Sequence, residues 1–265
     1  MKSCNAITIA AASLVALAAF GNASPATTAK TRYFHEDPRD PYRDHRFASR
    51  SPLPEDERRQ VVRVLMQTYL ATFRDLGVQT WLMRGSLLGW WWGGKARSLS
   101  SAPFLISQDP GKPKRWWIES ILPWDHDAAV RITEADLYFL AAYHNMTTHY
   151  YRYGGMEGGL YFQLEVNPHY QDRDEGDRVN AADARWIDMA SGLFIDITAA
   201  RYALNHEEGQ GVLFDKLGRQ YRDFDIFPLR NTTFEGVSAS IPFRYEDLLR
   251  SEYGKEALTD TEFNE

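Results

Sequence analysis

Apolar side chains recur at helical spacing at Val62, Leu65, Met66, Tyr69, Phe73 and Leu76. This predicts a helix opened at Pro54 and closed by Gly77. Val78 to Met83 then reads as a strand, Arg84-Gly85-Ser86 as a tight turn, and Leu87 to Trp92 as the start of a second helix. The apolar run Leu122 to Val130, interrupted by two acids, reads as a short strand. Thr133 caps a helix reaching about Asn145, and Asp136 completes a capping-box-like pattern. Leu160 to Val166, Arg185 to Met189 and Leu193 to Thr198 are strands, the last two joined by a turn at Ser191-Gly192. Tyr221 to Leu229 and Phe234 to Pro242 read as extended segments, and Tyr245 to Tyr253 as a short helix ended by Gly254. Helices and strands mix without a regular βαβ alternation. The expected class is α+β, a mixed sheet flanked by helices.

Between these elements lie polar stretches. Residues 24–54, with a charged run from Glu36 to Arg50, read as a stem or linker before a domain spanning 55–265. Residues 96–120 show no period and read as an insertion, either a lid or a translated intron. Asn167 to Asp183 reads as a mobile polar loop. At the N-terminus, Lys2 precedes the apolar run Ile7 to Phe20 and a stretch of small residues. That pattern is a signal peptide over residues 1–23 or, uncleaved, a signal anchor. It directs the chain to the secretory pathway, into the Golgi lumen or out of the cell.

Composition narrows the chemistry. The only cysteine, Cys4, falls in the signal segment, so a mature chain would have neither a disulfide nor a thiolate nucleophile. A net charge of −6 argues against nucleic acid as a partner. Asn145-Met146-Thr147 and Asn231-Thr232-Thr233 are glycosylation acceptors on a secretory route.

Three pieces carry candidate chemistry. Asp125 and Asp127 lie two apart on a strand, so their side chains share one face, with Cα atoms roughly 6.5–7 Å apart. Two such carboxylates repel each other unless a hard cation joins them. Taken alone, the pair also fits a solvated strand end or a helix cap. Gly85-Ser86 opens a helix whose free N–H groups suit phosphate oxygens. Asp196, the single acid in Leu193-Phe194-Ile195-Asp196-Ile197, is costly to bury without a partner, and a shared metal would be one. The turn and Asp196 tip the acidic pair toward metal. His126 points to the opposite face. Trp90, Trp91 and Trp92 suit stacking on a base or sugar, or core packing for at least two of them.

As a set, these blocks resemble the LicD/fukutin family, which has the polymerase-β-like nucleotidyltransferase plan. The resemblance is carried by Arg84-Gly85-Ser86-Leu87-Leu88-Gly89-Trp90, Leu122-Pro123-Trp124-Asp125-His126-Asp127, Arg185-Trp186-Ile187-Asp188, Gly192 to Thr198, and Tyr221 to Arg230. Its nearest branch is the fungal one related to mannosylphosphate transfer. The resemblance implies Mg²⁺ or Mn²⁺ held by Asp125, Asp127 and Asp196. It implies donor phosphate on Gly85 and Ser86, with Lys95, Arg222 and Arg230 as further candidates. The donor would be GDP-mannose or a CDP-linked group, and the acceptor a glycan or glycoprotein. One position departs from the family pattern: Ala129 stands where a third acid is expected. It opens an alternative, a catalytically inactive regulator or partner of a glycosyltransferase complex.

Overall fold

The computed structural model describes residues 30–48, 51–99, 121–122, 128–152 and 158–259. In chain order the elements are β1 (Glu36–Asp37), β2 (Asp40–Asp44), α1 (Glu55–Asp75), β3 (Thr80–Leu82), α2 (Arg84–Leu99), β4 (Ala129–Thr133), α3 (Glu134–Tyr143) and β5 (Thr147–Tyr151). They continue as β6 (Leu160–Val166), β7 (Ala184–Asp188), β8 (Phe194–Tyr202), β9 (Val212–Phe214), β10 (Gln220–Arg222), α4 (Asp223–Ile226), β11 (Arg230–Phe234), β12 (Val237–Ile241) and α5 (Tyr245–Tyr253), with a final 3₁₀ turn at Glu256–Leu258. The architecture is the expected α+β one. No helix among the described residues is long and apolar enough to cross a membrane.

The central sheet runs β10-β9-β8-β7-β6-β5, with β4 parallel to β8 and β3 antiparallel to β4. Period-two alternation separates its faces. Leu164, Trp186, Ile195, Ile197, Val130 and Ile132 belong to the face that packs with α1 and α3. From α1 come Leu65, Met66, Tyr69 and Phe73, the stripe that the helical spacing predicts. Trp186 sits in this core with no exposed surface; it stacks on Phe162 and donates its indole N–H to Thr68 Oγ1 at 3.1 Å. The hydrogen bond satisfies a polar atom that burial would otherwise penalise.

Thr133 caps α3 as expected: its Oγ1 accepts the Asp136 N–H at 3.1 Å, and Asp136 Oδ2 accepts the Thr133 hydroxyl at 2.6 Å and the Gln79 N–H at 3.1 Å. Several expectations change. The helix α2 starts at Arg84, so Arg84-Gly85-Ser86 forms its first turn, and it runs on to Leu99, into the stretch expected as an insertion. Tyr221 to Leu229 is not wholly extended. Asp223 and Asp225 supply a negative first turn to the short α4, which suits the positive end of a helix. The stretch 167–183 is anchored at its end. Asp183, fully buried, meets Arg201 at 2.6 Å and Lys216 at 3.0 Å, and accepts the Ala199 N–H at 2.9 Å. Arg201 and Lys216 also donate to the carbonyls of Tyr170 and His169, so the loop serves as the counter-charge for two interior cations.

The folded unit also begins earlier than the sequence suggests, at Arg32. The charged run read as linker carries β1 and β2, in which Asp37, Asp40, Arg43 and Asp44 are buried. Its acids and bases pair locally. Arg39 bonds Asp37 through its backbone and guanidinium, and Arg46 does the same to Asp44. Neutralised in this way, the run docks on the sheet: the Asp44 N–H donates to Gly192 O at 2.8 Å and Arg43 Nε to Ser191 O at 2.7 Å.

These pairs make the docking acid-sensitive. Hydrogen bonds from Arg39 hold the Asp37 carboxyl down at about 2, against an ordinary 3.8. Burial alone would raise Asp44, but the bonds from Arg46 outweigh it and lower it. Acids depressed in the fold stabilise it fully above their ordinary value and lose that contribution as pH falls toward the folded value. Acidification from about pH 4 toward about pH 2 is therefore expected to expose the Asp44 amide to hydrogen exchange ahead of the Ile195 amide. Equal loss of protection at both would show that these pairs do not set the acid limit of the segment.

Candidate functional site

The turn between β3 and α2 is built around Ala129. The Met83 N–H donates to Ala129 O at 3.0 Å, and Ser86 Oγ accepts the Ala129 N–H at 2.9 Å. Both backbone groups of the first β4 residue are thus fixed by the Met83-Arg84-Gly85-Ser86 segment. Arg84 pays a conformational cost here: its φ is +53°, a region that disfavours a Cβ and costs on the order of 1–3 kcal/mol. Its side chain reaches Glu252 on α5 at 3.4 Å, and Glu252 also pairs with Arg219. The first turn of α2 carries no acid. Ser86 is buried, so its hydroxyl works inside the fold, on the Ala129 amide.

Across the sheet's second face runs one row of aligned residues: Glu165 on β6, Arg185 on β7, Asp196 on β8 and Ala129 on β4. Arg185 is buried, and its Nε donates to Asp196 Oδ1 at 2.7 Å while a terminal nitrogen donates to Glu36 at 2.7 Å. Its guanidinium lies 3.6 Å from the Phe194 ring centre and 4.6 Å from that of Phe34. Burial works against this charge, but Asp196 and Glu36 outweigh it and hold the guanidinium above its usual range. Asp196 remains 46% exposed. Beside it, one strand spacing away (about 4.8 Å), stands the methyl group of Ala129.

The predicted residues separate into distinct groups. Gly85, Ser86 and Asp196 converge on Ala129, through the turn and the strand pairing. Asp125, His126 and Asp127 lie outside the described residues; Leu122 and Ala128, on either side, are buried in the main core. Lys95 lies in α2, with its side chain outside the described set. Among the described residues no three His, Cys, Asp or Glu side chains are grouped as metal ligands. Arg222 binds Glu208 at 2.5 Å and lines a separate cleft of 750 Å³ that reaches Glu252. Arg230 stacks on Phe243, 4.6 Å from its ring centre.

All three tryptophans of α2 tie the fold together. Trp90 donates to Thr232 Oγ1, Trp91 to Leu258 O and Trp92 to Ala257 O, while their rings pack against the core. Asp188 neither pairs with Arg185 nor approaches Asp196 through any described bond. It accepts the N–H groups of Ala190 and Ser191 and the Ser191 hydroxyl, closing the β7–β8 turn.

Sequence reasoning placed Arg185 in a motif block, with Asp188 as its possible partner or as a supporting acid, and did not foresee its pairing with Asp196 or Glu36. A signal was there for Arg185: a cation within the apolar strand Ala184-Arg185-Trp186-Ile187 calls for an acid on a neighbouring strand. Asp196 is that acid. Glu36 gave no such signal, because its strand contact is made across 149 positions of sequence.

The hold of Ser86 on Ala129 has a measurable value. Ser86→Ala leaves the Ala129 N–H without its acceptor and is expected to lower the unfolding free energy by about 1–3 kcal/mol. Urea denaturation measures this; a loss well under about 0.5 kcal/mol would mean that the amide finds another acceptor.

No family model matches the chain. Over 210 residues, 78% of its length, the chain is 26% identical to the Mannosyltransferase regulator 4 of Saccharomyces cerevisiae (strain ATCC 204508 / S288c). The chain spans 15% of the length of that protein.

Proposed function

We propose that this chain takes part in attaching mannose phosphate to glycans of the secretory pathway. Within that process it acts as a regulator or partner of a glycosyltransferase complex. One observation carries this choice: Ala129 stands abreast of Asp196, and Asp196 already answers the charge of Arg185. Mg²⁺ and Mn²⁺ need several oxygen ligands at close range. Asp196 is shared with Arg185 and position 129 adds only a methyl group, which counts against a divalent ion held between β4 and β8. The likeness to a protein named as a mannosyltransferase regulator supports the same reading.

A second reading, metal-dependent transfer of mannose phosphate from GDP-mannose or a CDP-linked donor, draws support from Arg84. Left-handed backbone at a non-glycine residue concentrates at functional sites. In that reading Asp125, Asp127 and Asp196 hold the ion, and Gly85 and Ser86 face the donor phosphate.

Metal titration separates the two. The purified chain is expected to show no saturable Mn²⁺ binding by calorimetry, with or without GDP-mannose. Ala129→Asp is expected to show saturable Mn²⁺ binding where the parent shows none. Mannose phosphate transfer by the parent chain, abolished in Asp127→Ala, would overturn the regulator reading in favour of the second.

A further inference from the structure

The 750 Å³ cleft between β10, α4 and α5 lies within the size range of ligand sites, about 300–1,000 Å³. Its charges alternate. Arg222 faces Glu208 at 2.5 Å, and Arg219 faces Glu252. Arg244 faces Asp225 at 3.2 Å and Asp247 at 3.7 Å. Each guanidinium has a carboxylate beside it, so the walls present donors and acceptors in turn with little net field. Gln220 and Ser251 add neutral polar groups, while the half-buried Tyr221 and Leu248 add apolar surface.

We infer that this cleft binds a neutral oligosaccharide. An anion such as a nucleotide would meet three guanidiniums against four carboxylates, and a cation would meet the reverse conflict. A sugar hydroxyl both donates and accepts, so it satisfies either member of each pair. Exposed ion pairs are worth about 0–1 kcal/mol, so a hydroxyl inserts at small cost at Arg244–Asp247, where both members are exposed. The apolar patch made by Tyr221 and Leu248 suits the C–H face of a pyranose ring. Glu252 ends the cleft and also holds Arg84, so a glycan seated there borders the Gly85-Ser86 turn. This inference rests on the glycan reading above and names where that glycan sits.

The full chain, without metal or donor, is titrated with an α-linked mannotetraose by calorimetry. Saturable binding is expected. Ser251→Trp, on the exposed side of α5, fills the cleft and is expected to weaken binding by about tenfold or more with an unchanged melting temperature. If that variant melts lower, Asp247→Ala decides: weaker binding supports the cleft and unchanged binding overturns it. The inference also fails if the parent binds no oligosaccharide, if Ser251→Trp binds it unchanged, or if GMP displaces it from the parent. Because neither metal nor donor is present, these outcomes judge the cleft alone and leave the regulator reading to the Mn²⁺ and transfer assays.

Discussion

Arg185 carries a positive charge into a strand whose every residue is buried, and the surrounding chain is arranged to answer it. A buried ion stripped of its partners costs several kcal/mol. Asp196 supplies one partner from the neighbouring strand, Glu36 another from the N-terminal segment, and the rings of Phe34 and Phe194 close over the guanidinium. One charge therefore does three things. It fixes the direction of the Asp196 carboxylate, it recruits residues 32–48 into the fold, and it gives the second face of the sheet a cover. The cover is held further by Tyr33 and Arg46 on Glu165, the next member of the same row.

Much of the main core was legible because it follows periodicity. The helical stripe of α1, the Thr133 cap of α3, the full extent of β6 and the bounds of α5 follow from local spacing. The N-terminal hairpin was not legible, and the reason is physical. Its pattern of alternating acids and bases has the composition of a solvated linker, and it is buried by pairs at two-residue spacing together with distant partners such as Arg58 for Asp40 and Arg185 for Glu36. The buried Asp183-Arg201-Lys216 group was hidden for a related reason. Each member looks like surface alone, and the partners come from three separate segments.

The candidate site was legible in part. The convergence of the Gly85-Ser86 turn with Asp196 follows from motif order and is borne by the pairing of β4 with β8. That Asp196 is already engaged could not be read from its own neighbours in sequence. It depends on Arg185 standing opposite in antiparallel register, a pairing set by the Ser191-Gly192 turn. Gly192 adopts φ +83° there, and a Cβ would meet the backbone of Asp44 and Ala48 at 3.1–3.2 Å. The same glycine thus sets the strand register and lets the N-terminal segment approach.

Ala129 is held by its backbone alone, the N–H by Ser86 and the C=O by Met83. Its side chain contributes nothing to that grip, and it points to the half-open face where Asp196 meets solvent. Such a position is evolutionarily cheap to edit. The scaffold demands a residue of ordinary strand geometry there and is indifferent to its chemistry. A carboxylate could be gained or lost at 129 while both of these backbone hydrogen bonds stay in place.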